Sequence, residues 1–315
     1  MNQNDLLTLD AEKEVSRITE QLKTDIFHRL RRKGAVIGIS GGIDSAVTAG
    51  LLVRACGKER VLGIMMPEKD SSPDSLRLAK DVANIYGIEY IIEDITPVLQ
   101  GFNCYGRRDE AVKRIFPEYD ETYKLKIGLP PGIGDNRILN IFHATIISSD
   151  GKKQTKRMKP SEYLQIVAAS NFKQRTRMSM LYYHAERLNY AVIGTGNKNE
   201  HELGFFVKYG DGGADLKPIL HLFKTQIYQL ARYLQVPEKI IKAKPTTDTY
   251  SADQTQEEFF FRIPFSVLDI VWCGWESGYP DEDIAKLTDL TVDKVKNIIE
   301  DIKQKKKTTM ALREE

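Results

Sequence analysis

The chain contains no long hydrophobic run, since no window of its 315 residues approaches the roughly 18 apolar residues of a membrane span. The first residues, MNQNDLLTLDAEKEV, lack the basic start and apolar stretch of a secretory signal. Cysteine is scarce as well: Cys56, Cys104 and Cys273 are far apart and form no CxxC pair, which excludes a disulfide framework. We therefore expect a soluble, cytoplasmic protein with reduced thiols and no membrane association.

An excess of charge of one sign is also missing. Forty-six Lys and Arg residues against 44 Asp and Glu residues leave a net charge of +2, so no global field favours nucleic acid or an anionic membrane surface. Hydrophobic residues make up 41% of the chain and charged residues 29%, which is ordinary for a globular protein. We expect one domain over residues 1–315, and any anion must be bound by a local site.

Short apolar segments alternate with amphipathic ones along most of the chain. After a helical pattern at 10–33, strand patterns at 35–40, 60–67, 88–95 and 190–196 alternate with helical patterns at 45–56, 71–87, 163–189 and 219–235. This order predicts a doubly wound parallel α/β sheet covered by helices on both faces. We also predict a surface insertion at about 101–165, with a strand pair in RILNIFHATII (137–147), and a helical C-terminal extension at about 251–315. The terminal lysine run from 303 is expected to be a solvated tail.

The first predicted strand ends in the hexapeptide SGGIDS, residues 40–45. The loop after the first strand of a parallel sheet is a favoured ligand position. Gly41 and Gly42 allow close backbone approach, Ser40 and Ser45 supply hydroxyl donors, and the next helix presents unpaired N–H groups. These donors suit a phosphate-like anion, whereas Asp44 has the right charge to hold a Mg²⁺ ion.

Other interpretations of this hexapeptide compete. The simplest is a turn in which Ser and Asp cap a helix. The segment GISGG (38–42) also fits the G-x-S-x-G nucleophile elbow, but that site needs a late histidine, and the last one, His221, lies 94 residues before the end. A Walker A motif is absent, which argues against P-loop phosphoryl transfer.

Further motifs follow SGGIDS in a fixed order. They are NFKQRTRM (171–178), GTGNKNE (194–200), FFVKYGDGGADLKPI (205–219), LFKTQ (222–226) and KPTTD (244–248). Together they resemble the ammonia-dependent NAD synthase family of the N-type ATP pyrophosphatases, over residues 15–97 and 165–250. The resemblance implies an adenine-nucleotide α-hydrolase-like fold. It also implies that ATP and Mg²⁺ activate the carboxylate of deamido-NAD as an acyl-adenylate, that pyrophosphate leaves, and that ammonia then forms NAD.

The resemblance also implies site residues, which are expectations at this point. Catalytic roles fall on Asp44, Lys224 and Asp215, and Mg²⁺ ligation on Asp44 and Glu200. ATP would contact Ser40, Gly41, Gly42, Ser45, Arg177, Thr195, Lys224 and Thr246. The deamido-NAD substrate would contact Asn171, Arg175, Lys208, Asp211 and Asp215. None of these residues acts as a covalent nucleophile, so catalysis is expected to rest on positioning and charge neutralisation, with Asp215 or a neighbour accepting the ammonium proton.

Two departures from the family pattern keep other functions open. The segment QTQEEFFFRIPFSVLD (254–269) replaces an acidic DE…LG segment, and the stretch 101–170 is about twice the expected length. The longer stretch predicts a lid or an altered substrate pocket. The alternatives are the same adenylation and amidation of a different carboxylate, a nucleotide-binding sensor without turnover, and, last, a hydrolase.

The resemblance finally predicts partners. ATP, deamido-NAD and ammonia are the expected small-molecule substrates, with ammonia either free or supplied by a separate glutaminase, because the chain starts directly at the synthase-like region. The family is usually a homodimer, so we expect that assembly here. No nucleic acid partner is expected.

Overall fold

The centre of the fold is a parallel β-sheet of four strands. The structure is a computed structural model that describes residues 6–129, 142–246 and 249–313. The sheet strands are β1 (Ala35–Gly38), β2 (Val61–Met65), β3 (Glu89–Ile92) and β7 (Ala191–Ile193). Their spatial order is β3, β2, β1, β7. Each of β1, β2 and β7 is a continuous apolar run because both of its faces are covered by helices. The predicted doubly wound parallel α/β sheet is thus confirmed.

Helices connect and cover these strands. The α-helices are α1 (Ala11–Thr24), α2 (Ile43–Cys56), α3 (Pro73–Tyr86), α4 (Thr96–Gly101), α5 (Cys104–Ile115), α6 (Pro160–Leu188), α7 (Lys198–Leu203), α8 (Lys224–Tyr233), α9 (Glu238–Lys242), α10 (Phe265–Glu276), α11 (Asp281–Thr288), α12 (Val292–Thr308) and α13 (Met310–Arg313). Short π-helical turns lie at Asp25–Arg29 and Glu257–Phe261. In the described ranges no helix has both the length and the apolar character needed to cross a bilayer.

The two faces of the sheet carry different helices. On one face, α1, α2, α3 and α8 pack their apolar side chains against Ala35 and Ile37 of β1. On the other face, Met178 and Leu181 of the 29-residue helix α6 pack against Val36 of β1. Successive residues of β1 point to opposite faces, so both layers are fixed by one strand.

The segment between β3 and α6 forms a second layer with a core of its own. The strands β4 (Lys124–Gly128), β5 (His143–Ile147) and β6 (Lys153–Arg157) form an antiparallel sheet. Leu125, Ile127 and Ile146 are fully buried against α5 and α6. The predicted surface insertion is therefore a packed layer. The predicted strand at 137–141 lies outside the described residues, whereas β5 agrees with the second half of that prediction.

The C-terminal part differs from the prediction at its end. It is helical as expected, and α10, α11 and α12 pack around Trp272 in a separate apolar core. The lysine run, however, belongs to α12 and is not a solvated tail. Lys305 is buried beside Asp301, with 2.8 Å between the charged atoms, and Lys306 Nζ lies 3.0 Å from Glu276 Oε1. The ion pairs of Lys306 dock α12 against α7 and α10.

Candidate active site

A cleft opens at the end of β1, the strand from which the sheet is extended by β2 and β3 on one side and by β7 on the other. β1 lies between β2 and β7, so the loops that follow β1 and β7 separate at its carboxyl end, which is where doubly wound sheets bind ligands. The cleft has a volume of about 620 Å³. Of the predicted residues it brings together Ser40, Gly41, Gly42, Asp44, Ser45, Thr195, Glu200, Asp211, Lys224 and Thr246 on its walls.

The SGGIDS loop is held by hydrogen bonds within itself. Ser45 Oγ donates to the Gly42 carbonyl over 2.9 Å and lies 3.2 Å from Ser40 Oγ, and Gly42 N donates to Ser40 Oγ over 3.2 Å. Gly42 is the N-cap of α2 and has no side chain to accept from the first N–H groups. These amides and hydroxyls therefore converge at a helix N-terminus, which can bind an anion.

Gly41 is required by both conformation and space. Its φ is +83°, and a Cβ atom there would lie 2.5 Å from the Ser75 carbonyl oxygen. Because L-residues with a side chain rarely adopt this conformation, the loop can approach α3 only with glycine at this position.

Asp44 stands at the centre of the polar contacts. Its Oδ2 pairs with Lys224 Nζ, and its Oδ1 accepts a 3.2 Å hydrogen bond from Asn197 Nδ2. Lys224 is fully buried at the first position of α8, which is later than the helix start predicted at 219. Burial acts to lower the pKa of Lys224, but the carboxylates of Asp44 and Glu200 outweigh it and the pKa is raised. Lys224 is therefore a fixed cation.

Glu200 is the second carboxylate of the cleft. It follows the Asn197 N-cap of α7, accepts from Asn197 N over 3.2 Å and also accepts from Gln256 Nε2 over 3.2 Å. Desolvation and the negative charge of Asp44 raise the pKa of Glu200, against the opposing effect of Lys224. Asn197 thus donates to both carboxylates, through its N to Glu200 and its Nδ2 to Asp44.

This donor set fits a Mg²⁺ ion that also binds phosphate. Among the residues that the structure describes, no three His, Cys, Asp or Glu side chains lie together as a metal site. The candidate protein ligands are therefore the two carboxylates of Asp44 and Glu200. When both are ionised, Asp44 and Glu200 outweigh their one nearby cation, Lys224, so a bound Mg²⁺ would favour the charged form of Glu200. Mg²⁺ is typically held by one or two carboxylates, with water and phosphate oxygens completing its octahedron.

A smaller cavity of about 210 Å³ adjoins the cleft. Its walls are mainly apolar side chains at the ends of β1 and β2 and on α3 and α6, including Ile39, Met66 and Met178. Arg177 lies on this wall, where its Nε donates to the Met66 carbonyl oxygen over 3.3 Å. Apolar walls with a few polar groups suit a planar ring such as a nucleobase.

Four predicted substrate residues lie away from these walls. In the described parts of the chain, neither cavity is lined by Asn171, Arg175, Lys208 or Asp215. Arg175 Nε donates to the Lys208 carbonyl oxygen over 3.2 Å, which joins α6 to the KYGDGGAD loop. The Asp215 carboxylate accepts from Tyr182 Oη over 3.1 Å and from Val192 N over 2.8 Å, so it anchors that loop to α6 and β7.

Sequence reasoning missed a buried ionic cluster that does not line the described walls of the two cavities. Lys173 is fully buried on α6, and its Nζ lies 2.9 Å from Glu68 Oε1, 2.7 Å from Asp70 Oδ2 and 2.7 Å from the Thr249 carbonyl oxygen. Arg108 of α5 pairs with the same Asp70. Lys173 lies within the recognised NFKQRTRM motif, but neither that motif nor its spacing indicates burial or partners.

Sequence comparison identifies relatives over nearly the whole chain. A family model for NAD synthase matches residues 14–115 and 137–310. An NH(3)-dependent NAD(+) synthetase from Mesorhizobium japonicum is 48% identical over 302 residues, covering 96% of this chain and 94% of the relative. A protein of the same name from Rhizobium rhizogenes is 46% identical, covering 98% of this chain and 93% of the relative.

Solved structures agree at the level of the fold. An NMN synthetase from Francisella tularensis superposes with a TM-score of 0.67 at 21% identity, covering 98% of this chain and 97% of that one. An NH3-dependent NAD synthetase from Campylobacter jejuni, in complex with the nitrate ion, gives a TM-score of 0.63 at 24% identity and covers 98% of both chains. With the family match over most of its length and relatives nearly half identical to it, this chain belongs to the NAD synthase family.

Proposed function

We propose that the chain catalyses ATP- and Mg²⁺-dependent formation of NAD from deamido-NAD and ammonia, with release of AMP and pyrophosphate. The observation that carries this proposal is the pairing of Asp44 with the buried Lys224 beside Glu200, at the end of the SGGIDS loop. Relatives 46–48% identical over nearly the whole chain carry the name NH(3)-dependent NAD(+) synthetase.

In this proposal the first step is adenylation of the substrate carboxylate. A carboxylate oxygen attacks the α-phosphorus of ATP, the bond from that phosphorus to the bridging oxygen breaks, and pyrophosphate leaves. Ser40, Gly41, Gly42 and Ser45 hold the departing phosphates through hydroxyl and amide donors. Lys224 and Thr246 hold phosphate oxygens, Thr195 lies near the reacting groups, and Arg177 lies at the nucleotide ring.

Asp44 and Glu200 would hold Mg²⁺ in this scheme. The ion, when bound, neutralises charge that develops on the phosphate oxygens. Asn197 orients Asp44 by its 3.2 Å hydrogen bond, and Gln256 orients Glu200 in the same way. Both carboxylates are thus fixed before nucleotide arrives, which removes part of the reorganisation cost.

The second step is amide formation. Ammonia attacks the acyl carbon, AMP leaves with the electrons of the broken carbon–oxygen bond, and one proton is lost from nitrogen. We assign Asn171, Arg175, Lys208 and Asp211 to the deamido-NAD side, on the basis of their matches to the family motifs. Asp215 or a neighbour stays the proposed proton acceptor, and the hydrogen bonds from Tyr182 Oη and Val192 N fix the position of the Asp215 carboxylate.

A product assay tests the proposed reaction. We expect the purified chain with ATP, Mg²⁺, ammonium and deamido-NAD to yield NAD, AMP and pyrophosphate in equal amounts. ADP and orthophosphate as products would overturn the proposal. Turnover with nicotinic acid mononucleotide and not with deamido-NAD would establish the same chemistry on another carboxylate. Tight ATP binding without turnover on either acid would establish a sensor.

We further propose that the enzyme is a homodimer in the cytoplasm and that ammonia reaches it free or from a separate glutaminase. The family resemblance supports the dimer, and three free thiols fit a reducing compartment. Light scattering after size exclusion should give twice the 35.9 kDa mass of one chain. A mass equal to one chain would exclude the dimer.

A further inference from the structure

Asp269 is a buried acid that the reaction scheme above does not use. It lies on α10 in the C-terminal core and is fully inaccessible to solvent. Its Oδ2 accepts from Thr225 N over 2.9 Å, and its Oδ1 accepts from Asn199 Nδ2 over 2.6 Å. A buried carboxylate needs such compensation because desolvation disfavours its charge.

One partner of Asp269, Thr225 N, belongs to the first turn of the helix that carries Lys224. The N-cap of α8 is Phe223, whose side chain contains no acceptor for the first N–H groups of the helix. Lys224 N donates instead to Asn199 Oδ1 over 2.9 Å, and Thr225 N donates to Asp269. Asn199 is itself fully buried. The cap of α8 is therefore supplied by residues distant in sequence.

Asn199 also belongs to the helix that carries the proposed metal ligand. It immediately precedes Glu200 on α7, so the chain of hydrogen bonds from Asp269 through Asn199 to Lys224 joins α7 to α8. Asp44 pairs with the far end of Lys224, and Asn197 donates both to Asp44 and to Glu200. This chain of bonds therefore holds the first turn of α8, which carries Lys224, against α7, which carries Glu200.

We propose that Asp269 is a positioning residue that aligns Lys224 with Glu200 for nucleotide binding and adenylation. The inference rests on the proposed function for its catalytic consequence. The C-terminal helices thereby take part in the active site, although Asp269 does not line the described walls of the cleft.

The direction of the hydrogen bonds makes this proposal specific. Thr225 N and Lys224 N can only donate. Asp269 must therefore accept from Thr225 N, and Asn199 must accept from Lys224 N. Asp269 supplies acceptors only, which leaves Asn199 to donate to it and to accept from Lys224 N. An amide at position 269 would direct an NH₂ group either at Thr225 N or at Asn199. To accept from that group, Asn199 would have to turn its own NH₂ group toward Lys224 N. Two donors would then face each other.

Exchanging the side chains at 199 and 269 reverses the hydrogen bond between them. Thr225 N and Lys224 N then each have an acceptor again. In the double variant Asp269→Asn/Asn199→Asp, the amide at 269 accepts from Thr225 N and donates to the carboxylate at 199. That carboxylate also accepts from Lys224 N. The single variant Asp269→Asn is mismatched and Asn199→Asp alone places two carboxylates together, so only the double variant recovers the pattern.

The three variants are to be compared with wild type and with Asp283→Asn on the neighbouring α11, where the side chain is 51% exposed. We expect Asp269→Asn to lower kcat on the order of 10²-fold, to raise the Mg²⁺ concentration for half-maximal rate, and to accelerate amide hydrogen exchange at 224–226. The double variant should reverse all three changes, and Asp283→Asn should change none.

Two outcomes would overturn the proposal: an unchanged kcat and Mg²⁺ requirement in Asp269→Asn, or a double variant that recovers neither folding nor activity lost in the single variants. Hydrogen exchange and calorimetric binding of Mg²⁺-ATP give the same comparison without turnover. A wild-type protein that fails to amidate deamido-NAD would therefore refute the proposed function, while these two measurements still decide the role of Asp269.

Discussion

Asp44 uses one carboxylate oxygen for Lys224 and the other for Asn197. In Asp44→Asn the amide removes a negative charge, so Lys224 loses its partner and the proposed Mg²⁺ site loses a ligand. We expect adenylation to fall on the order of 10²-fold or more, measured as AMP release. Glu89→Gln, at an exposed position of β3, is the matched control. Cleavage by Asp44→Asn at the parental rate would contradict the assignment.

Gly41 offers a second test at the scale of one residue. Gly41→Ala forces a side chain into φ +83° and places Cβ 2.5 Å from the Ser75 carbonyl oxygen. We expect a loss of about 1–2 kcal/mol of folding free energy from the conformation alone, together with weaker ATP binding, measured by urea denaturation and calorimetry. Gly101→Ala, where a Cβ meets nothing within 4 Å, should retain both. Equal behaviour of the two variants would refute the steric argument.

At the scale of elements, the cluster around Lys173 joins four segments: the β2–α3 loop with Glu68 and Asp70, α5 with Arg108, α6, and the chain at Thr249. Lys173→Met leaves Glu68 and Asp70 with Arg108 alone, which also pairs with Asp109. We expect a loss of about 3–5 kcal/mol at pH 7, measured by urea denaturation, against little change for Lys296→Met at an exposed position on α12. A loss below about 1 kcal/mol would show that the cluster is not stabilising.

The same cluster predicts that acid changes the stability of wild type and of Lys173→Met in opposite directions. Burial raises the pKa of Asp70, but Lys173 and Arg108 outweigh burial and hold that pKa below its usual value of 3.8. In wild type this contribution to stability is present above pH 3.8 and is lost as the pH falls toward the lower folded-state pKa. In Lys173→Met burial dominates, so the pKa rises and acidification from pH 7 to 5 should narrow the deficit. A deficit that widens on acidification would contradict this assignment of charges.

The antiparallel layer contacts the nucleotide cleft through one edge of β4. Leu125 N donates to Ser251 Oγ over 2.9 Å, and Ala252 N donates to the Leu125 carbonyl oxygen over 3.0 Å. Ala252 and Gln254 line the cleft. The layer therefore holds a wall of the cleft by main-chain contacts, in a way that the lid hypothesis did not include.

A core variant of this layer tests the connection. Leu125→Ala should cost about 2–5 kcal/mol, since Leu125 is fully buried, and should accelerate hydrogen exchange at Ala252 and raise the KM for ATP. Leu164→Ala, at a side chain 62% exposed on α6, is the control. If stability falls and the KM for ATP does not change, the antiparallel layer does not support the wall of the cleft.

At the scale of the whole molecule, the proposed ligands bind where β1, β7, α7 and α8 meet, so binding should stabilise the entire fold. We expect Mg²⁺ with ATP at about 100 times the Kd to add about 2.7 kcal/mol, observed as a higher Tm. EDTA should reduce that shift, and Asp44→Asn should no longer respond to Mg²⁺. A shift by ATP that is insensitive to EDTA would contradict a role for the cation.

The sequence by itself determined the alternation of strands and helices and the place of the SGGIDS loop. Both are local properties: continuous apolar runs fit a sheet buried on both faces, and glycine with serine fits a loop at a helix N-terminus. Two predictions from the sequence were wrong. The start of α8 was placed too early, because the apolar pattern continues upstream of Lys224. The lysine run was predicted to be solvated, because charged residues usually face solvent.

Only the tertiary structure decided which of these groups meet. Asp44 and Lys224 are 180 positions apart, Lys173 and Glu68 are 105 apart, and Asp269 and Thr225 are 44 apart. No periodicity encodes such pairs, because they depend on how the β1 and β7 loops, the long helix and the C-terminal core pack together. Burial then gives these contacts their strength, since a charge without its partner is costly where water is excluded.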